Sequence, residues 1–81
     1  MTLLEFANEM QKKLDDNSHK TGWDQCSDAY LLNRLRQETG ELARAVARKD
    51  DPKAIIREAA DVANFAYFIA DNCSQSVEDP A

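Results

Sequence analysis

The 81 residues of this chain make one domain, and a domain of this size buries only about 60% of the surface that its unfolded form exposes, so a monomer should be marginally stable. The net charge of −5 argues against a general nucleic-acid-binding protein, because phosphate backbones are bound mainly by clustered Lys and Arg. No apolar stretch is long enough for a membrane span, the start lacks the basic region of a signal peptide, and the two cysteines form no C-x-x-C pattern, so we expect a cytoplasmic protein with free thiols.

The first predicted element is a helix over about residues 3–16. It begins with a capping box, in which Thr2 is followed three residues later by Glu5. Its apolar residues have the spacing of one helical face, and that face is expected to contain Leu3, Phe6, Ala7, Met10 and Leu14. The segment over 15–26 is polar and typical of a surface loop, and it contains the single tryptophan of the chain, Trp23.

Two longer helices are predicted next, because few glycines or prolines interrupt the rest of the chain and no strand-like alternation of residues occurs. The second helix is expected over about 28–49, with Ser27 or Asp28 as its N-cap. The third is expected over about 52–72, with Asp51 as its N-cap.

Only two or three residues connect these two helices, so they must fold back on each other as an antiparallel hairpin. The remaining tail, residues 73–81, is polar and is expected to fray. The predicted fold is therefore all-α, a helical hairpin plus an N-terminal helix within a single domain over residues 1–81.

Each helix of the hairpin has an acid inside its apolar seam. Glu38 interrupts the seam of the second helix, which consists of Leu31, Leu35, Leu42 and Ala45. Glu58 interrupts the seam of the third helix, which consists of Ile55, Val62, Phe65 and Ile69. Each of these acids has an acidic companion three residues later, Glu41 and Asp61 respectively, on the same helix face.

The four carboxylates are predicted to lie at the same level of the hairpin. Counted from position 50, Glu41 and Glu38 lie about 13 and 18 Å from the hinge, and Glu58 and Asp61 lie about 12 and 16 Å from it. Crowded carboxylates raise each other's pKa until protons or cations relieve the repulsion. Carboxylate oxygens without histidine or thiolate favour Mg²⁺ or Mn²⁺, and Mg²⁺ takes further ligands from substrate phosphates. The pattern therefore predicts a metal site for a phosphorylated ligand.

A competing interpretation is that these acids form ordinary salt bridges, with partners such as Arg34, Arg44 or Arg57. The chain would then be a non-catalytic interaction module, for example an antitoxin-like helical bundle. The occurrence of two such acid pairs, both inside apolar seams and both level across one hinge, favours the metal site over this alternative.

Two segments resemble those of a known family, the MazG-like all-α nucleoside triphosphate pyrophosphohydrolases, which are related to dimeric dUTPases and dCTP pyrophosphatases. The segment over 35–42, Leu-Arg-Gln-Glu-Thr-Gly-Glu-Leu, is similar to the family's Glu-Glu-x-x-Glu segment. The segment over 58–62, Glu-Ala-Ala-Asp-Val, is similar to its Glu-x-x-Asp segment. The resemblance covers about residues 22–71. Gln37 differs from the family, which often has a glutamate there, and the polar tail offers no counterpart to the fourth helix that is common in the family core.

The resemblance implies metal-ligand roles for Glu38, Glu41, Glu58 and Asp61. It also implies that Trp23 contacts the base and that Asn64 lies near the phosphates. The implied reaction is the magnesium-dependent hydrolysis of a ribo- or deoxyribonucleoside triphosphate between its α and β phosphates, which yields the monophosphate and pyrophosphate. Hydrolysis of phosphoribosyl-ATP is an alternative within the same fold family.

The implied chemistry needs a base for the attacking water and cations for the phosphates. Glu41 is the candidate for the base, and Glu38 is the second candidate catalytic residue. The phosphates are expected to be near basic residues such as Lys20, Arg34 or Lys53. Trp23 has an alternative role, as a core residue that closes the end of the hairpin.

The third helix is apolar on nearly all sides, which predicts that it is buried all round. Two short helices cannot cover it alone, so we expect a homodimer or a dimer of dimers that resembles a four-helix bundle. The small residues that would allow close approach of a neighbouring helix are Ala59, Ala60, Ala63 and Ala66.

Overall fold

The computed structural model describes residues 1–16 and 22–78, and within these residues it contains helices and no strand. The three α-helices are α1 (Leu3–Asp16), α2 (Asp28–Ala47) and α3 (Pro52–Glu78), and a single 3₁₀ turn over Trp23–Gln25 precedes α2. The predicted all-α fold is confirmed. None of these helices is long and apolar enough to cross a lipid bilayer.

Local hydrogen bonds explain where the helices begin. The capping box of α1 is present: the Thr2 N–H donates to Glu5 Oε1 at 3.0 Å, and the Glu5 N–H donates to Thr2 Oγ1 at 3.1 Å. Ser27 is the N-cap of α2, since its hydroxyl accepts from the Tyr30 N–H at 3.1 Å. The carbonyl of Asp51 accepts the N–H groups of the first turn of α3.

The observed helix ends differ from the predicted ones. α2 ends at Ala47 rather than at position 49, and Lys49 has the left-handed φ of 56° that commonly terminates a helix. α3 continues to Glu78, six residues beyond its expected end. The reason is local: the first helix breaker after position 72 is Pro80, and polar composition alone does not stop a helix.

α3 is the central element and packs against both other helices. Among the described residues, no Cα atom of α1 lies within 8 Å of a Cα atom of α2. These two helices therefore flank α3 and leave a cleft between them. The fully buried apolar residues are few, namely Leu31, Ala45 and Ala60.

The predicted apolar face of α1 is only partly correct. Phe6, Met10 and Leu14 are partly buried, but Leu3 is 85% exposed and Ala7 is also exposed. The face that turns inward instead includes two charged residues, Glu9 and Lys13. α1 thus presents a mixed polar and apolar surface to the rest of the protein.

Candidate active site

Three carboxylates converge where α2 and α3 lie side by side. One oxygen each of Glu38, Glu58 and Asp61 can be chosen so that all three atoms lie within 4.8 Å of one another. Glu38 comes from α2 and the other two come from successive turns of one face of α3. Because the connection between the two helices is short, these residues lie at similar distances from the hinge. The helical rise predicted this arrangement.

Glu38 is the most buried of these acids, with only 7% of its surface exposed. Its Oε1 accepts from Arg34 Nη2 at 3.0 Å, whereas its buried Oε2 has no hydrogen-bond partner among the residues that the structure describes. Burial raises the pKa of Glu38 to about 7, and the neighbouring carboxylates of Glu41 and Asp61 add to this rise while Arg34 opposes it. A cation at this point would remove the repulsion and satisfy the unpaired oxygen.

The two acids of α3 have different surroundings. Glu58 is partly buried, and its Oε2 has no hydrogen-bond partner. Asp61 Oδ2 is 3.3 Å from the ammonium of Lys13, which reaches it from α1. The carboxylate cluster is therefore partly neutralised from outside the hairpin.

Glu41 lies at the edge of the cluster. It is exposed, but it is close enough to Glu38 for the two carboxyl groups to interact. The structure thus places three of the four predicted ligands together and leaves Glu41 beside them, in contact with solvent.

A cleft of about 730 Å³ opens next to the carboxylates, between α1 and α2 and above α3. One end of it is polar and charged, with Lys13, Arg34, Glu38, Asp61 and Asn64. The other residues that line it are mostly apolar or aromatic: Leu14, Trp23, Cys26, Tyr30, Leu31, Phe65 and Phe68. This division suits a ligand with one highly charged part and one flat, apolar part.

Asn64 and Arg34, both predicted from the sequence as substrate-binding residues, line the charged end of this cleft. Asn64 is 4% exposed; its Nδ2 donates to the Met10 carbonyl at 3.1 Å, and its Oδ1 has no partner. Arg34 donates to Gln37 as well as to Glu38, and its guanidinium lies 5.2 Å from the centre of the Phe65 ring. Asn64 therefore joins α1 to α3, and its buried Oδ1 has no partner among the described residues.

Residues 27–78 match the family model described as the MazG nucleotide pyrophosphohydrolase domain. The matched segment contains both helices of the hairpin and all the clustered carboxylates. The chain belongs to this family. No curated protein and no solved structure matches the chain. Membership of the family shows nucleotide pyrophosphohydrolase chemistry in general terms. It does not specify the nucleobase, the sugar or the metal.

MazG domains are typically dependent on divalent metals, and the three clustered carboxylates fit such an ion. The donors are all carboxylate oxygens, which suit hard cations such as Mg²⁺ and Mn²⁺. The buried Oε2 atoms of Glu38 and Glu58 lack hydrogen-bond partners among the described residues, and this observation supports the fit most directly.

Trp23 packs against α3 at the aromatic end of the cleft. Its ring is stacked on Phe68, with 4.5 Å between centroids and an interplanar angle of 15°. Its indole N–H donates to Asp71 Oδ2 at 3.0 Å, and its carbonyl accepts from Asn72 Nδ2 at 3.0 Å. These contacts are those of a packing residue, as the alternative prediction held, yet the side chain also lines the cleft.

The two other cations that were predicted to approach the phosphates, besides Arg34, are Lys53 and Lys20. Lys53 is exposed in the first turn of α3 and does not line the cleft. Lys20 lies outside the residues that the structure describes. Lys13 was not predicted as a site residue, although its spacing of three and seven residues from Met10 and Phe6 places it on the same face of α1.

Proposed function

We propose that this MazG domain hydrolyses ribo- or deoxyribonucleoside triphosphates to the monophosphate and pyrophosphate, and that it requires Mg²⁺ or Mn²⁺. The observation that supports this most directly is the cluster of Glu38, Glu58 and Asp61, with two buried oxygens that lack partners, at the charged end of a cleft of about 730 Å³. The family match supports the general chemistry, and the carboxylate cluster supports this location for it.

Glu38, Glu58 and Asp61 would hold the metal, with Glu41 available at the edge of the cluster. When bound, the ion neutralises phosphate charge and lowers the pKa of a bound water. The exposed carboxylate of Glu41 is then the candidate to accept the proton of the attacking water. Arg34, which lines the charged end of the cleft, would contact the phosphate chain.

The base would occupy the aromatic end of the cleft. Trp23 and Tyr30 line this part, and aromatic rings provide stacking surfaces for a nucleobase. Asn64 lines the cleft beside the carboxylates, and its amide would lie near the phosphates. The role of Trp23 is therefore both to pack on α3 and to border the base.

Release of pyrophosphate from each ribo- and deoxyribonucleoside triphosphate, measured with and without Mg²⁺, tests this proposal. We expect release from at least one nucleotide, loss of release with EDTA, and quenching of the single tryptophan by the same nucleotide. Phosphoribosyl-ATP is included as a separate substrate. A chain that neither binds nor hydrolyses any of these compounds would be an interaction module with internal salt bridges.

We also propose that the domain is a homodimer or a dimer of dimers. The fully buried apolar core is small, and Tyr30, Leu32, Val46 and Tyr67 are all more than 40% exposed. Association through these helical faces would bury such residues. Light scattering at micromolar concentration is expected to give a mass of at least twice 9.1 kDa. A folded monomer at that concentration would contradict the proposal.

A further inference from the structure

The two flanking helices each contribute one cation to the carboxylate cluster. Lys13 Nζ from α1 is 3.3 Å from Asp61 Oδ2, and Arg34 Nη2 from α2 is 3.0 Å from Glu38 Oε1. Both cations also line the cleft. Two of the three carboxylates that fit a metal are thus already paired with side chains of the protein.

A divalent ion bound by Asp61 would repel an ammonium group that lies 3.3 Å from the same carboxylate. The repulsion is relieved if the ammonium turns away from Asp61. The Lys13 side chain has a flexible stem and three rotatable donors, and it is 23% exposed, so its head can turn from Asp61 towards the cleft that it lines. Arg34 bonds Gln37 as well as Glu38 and lies over the Phe65 ring.

The balance of charge indicates where the ammonium goes. With Glu41 included, four carboxylates and two cations leave a net charge of about −2 in this group, and a divalent ion changes it to about 0. The group then no longer repels a phosphate chain, and the ammonium of Lys13 beside the open cleft attracts one. Lys13 therefore opposes metal binding in the absence of phosphate and favours phosphate binding once the metal is present.

We propose that Lys13 is a phosphate-binding residue that serves as the counter-cation of Asp61 until a metal takes its place. This inference rests on the proposed function, since it needs a metal at the cluster. It adds a residue from α1, which lies outside the segment matched by the family model. It also predicts that metal and phosphate each increase the affinity of the protein for the other. Lys13 contributes part of this positive coupling.

The experiment compares Lys13→Met with Lys12→Met in the full chain. Lys12 is the matched control, because it lies on the same helix and pairs only with Glu9 at the surface, at 3.2 Å. Mn²⁺ alone is titrated by electron paramagnetic resonance, and inorganic tripolyphosphate is titrated by calorimetry in saturating Mg²⁺. Tripolyphosphate carries the charge of the phosphate chain without a base, so neither readout depends on catalysis or on base preference.

We expect Lys13→Met to bind Mn²⁺ about three- to tenfold more tightly than the wild type, because Asp61 has lost a competing cation. We expect the same variant to bind tripolyphosphate about three- to tenfold more weakly, because a phosphate contact is missing. Lys12→Met should match the wild type in both titrations. Lys13→Arg keeps the charge and should stay close to the wild type in Mn²⁺ affinity.

Other outcomes overturn the inference. A lower melting temperature of Lys13→Met with unchanged affinities would mean that Lys13 only joins α1 to α3. Weakening of both ligands together would mean that the substitution damages the site. Wild-type protein that binds no Mn²⁺ would refute this inference and the proposed function together, whereas normal Mn²⁺ binding with no difference between the two variants would refute the inference alone.

Discussion

Replacing Glu38 by Gln is expected to reduce pyrophosphate release by at least about a hundredfold while the helical fold is retained. Loss of residues that only orient metal ligands already costs tenfold to a hundredfold, so loss of a ligand should cost no less. The amide keeps the size of the side chain and can still accept from Arg34 at the position of Oε1. Glu58→Gln is expected to behave in the same way, because its Oε2 is likewise buried and lacks a partner.

Activity of these variants and circular dichroism of the same samples provide the two measurements. Glu9→Gln is the control, since Glu9 pairs with Lys12, which is 68% exposed, and lies outside the cleft. Surface pairs of this kind contribute little to stability, so the control should stay active and folded. Unfolding of Glu38→Gln, together with a wild-type melting temperature that Mg²⁺ does not change, would favour the salt-bridge interpretation.

The level of the carboxylates was predictable from the sequence because two simple constraints determine it. A two- or three-residue connection forces an antiparallel hairpin, and the constant rise of a helix then pairs residues by their distance from the hinge. Glu38 and Glu58 also stand in apolar seams, which face the partner helix whatever the rest of the fold does. These two positions therefore meet in the structure as predicted.

The i+3 companions show the limit of that argument. Asp61 and Glu41 are each rotated away from their seams by the same angle, yet only Asp61 joins the cluster. α3 is flanked on two sides, so a rotated residue still faces the cleft and meets Lys13. α2 has no such second neighbour at Glu41, which therefore faces solvent. The pattern of the hairpin alone does not predict this difference between Asp61 and Glu41.

The position of α1 could not be predicted from the sequence, for a related reason. A polar segment connects it to the hairpin and does not fix its direction, so its register on α3 depends on tertiary contacts such as that of Asn64 with the Met10 carbonyl. The role of Lys13 in the cluster follows only from that register. Trp23 also needed tertiary information, because the sequence of the segment before α2 does not fix which part of α3 its ring meets, and its stacking on Phe68 follows from the packing of the two.

The metal-free protein is expected to lose stability as the pH rises from about 4.5 to about 7. The pKa of Glu38 is raised from its ordinary value of 4.5 to about 7 in the folded protein, mainly by burial. Between these values the folded state holds a proton that the unfolded state has lost. Stability falls with pH wherever the folded state binds more protons, so this contribution is complete below pH 4.5 and is lost through pH 7.

The size of the effect is on the order of 3 kcal/mol, which is a large part of the stability of a small domain. Glu38→Gln has no proton to lose at this position, so its stability should be nearly constant over the same range and higher than that of the wild type above pH 7. Urea unfolding in EDTA at several pH values measures this difference. The comparison removes the contribution of His19, which is the single histidine of the chain and is present in both proteins.

Magnesium should cancel the loss of stability. A divalent ion binds the deprotonated cluster and stabilises only the folded state, so wild-type stability at pH 8 is expected to rise with Mg²⁺ concentration. Glu38→Gln should respond far less, because one of three ligands no longer carries charge. An equal pH dependence in the two proteins would show that Glu38 ionises normally in the fold, and the repulsion that the proposed metal relieves would then be absent.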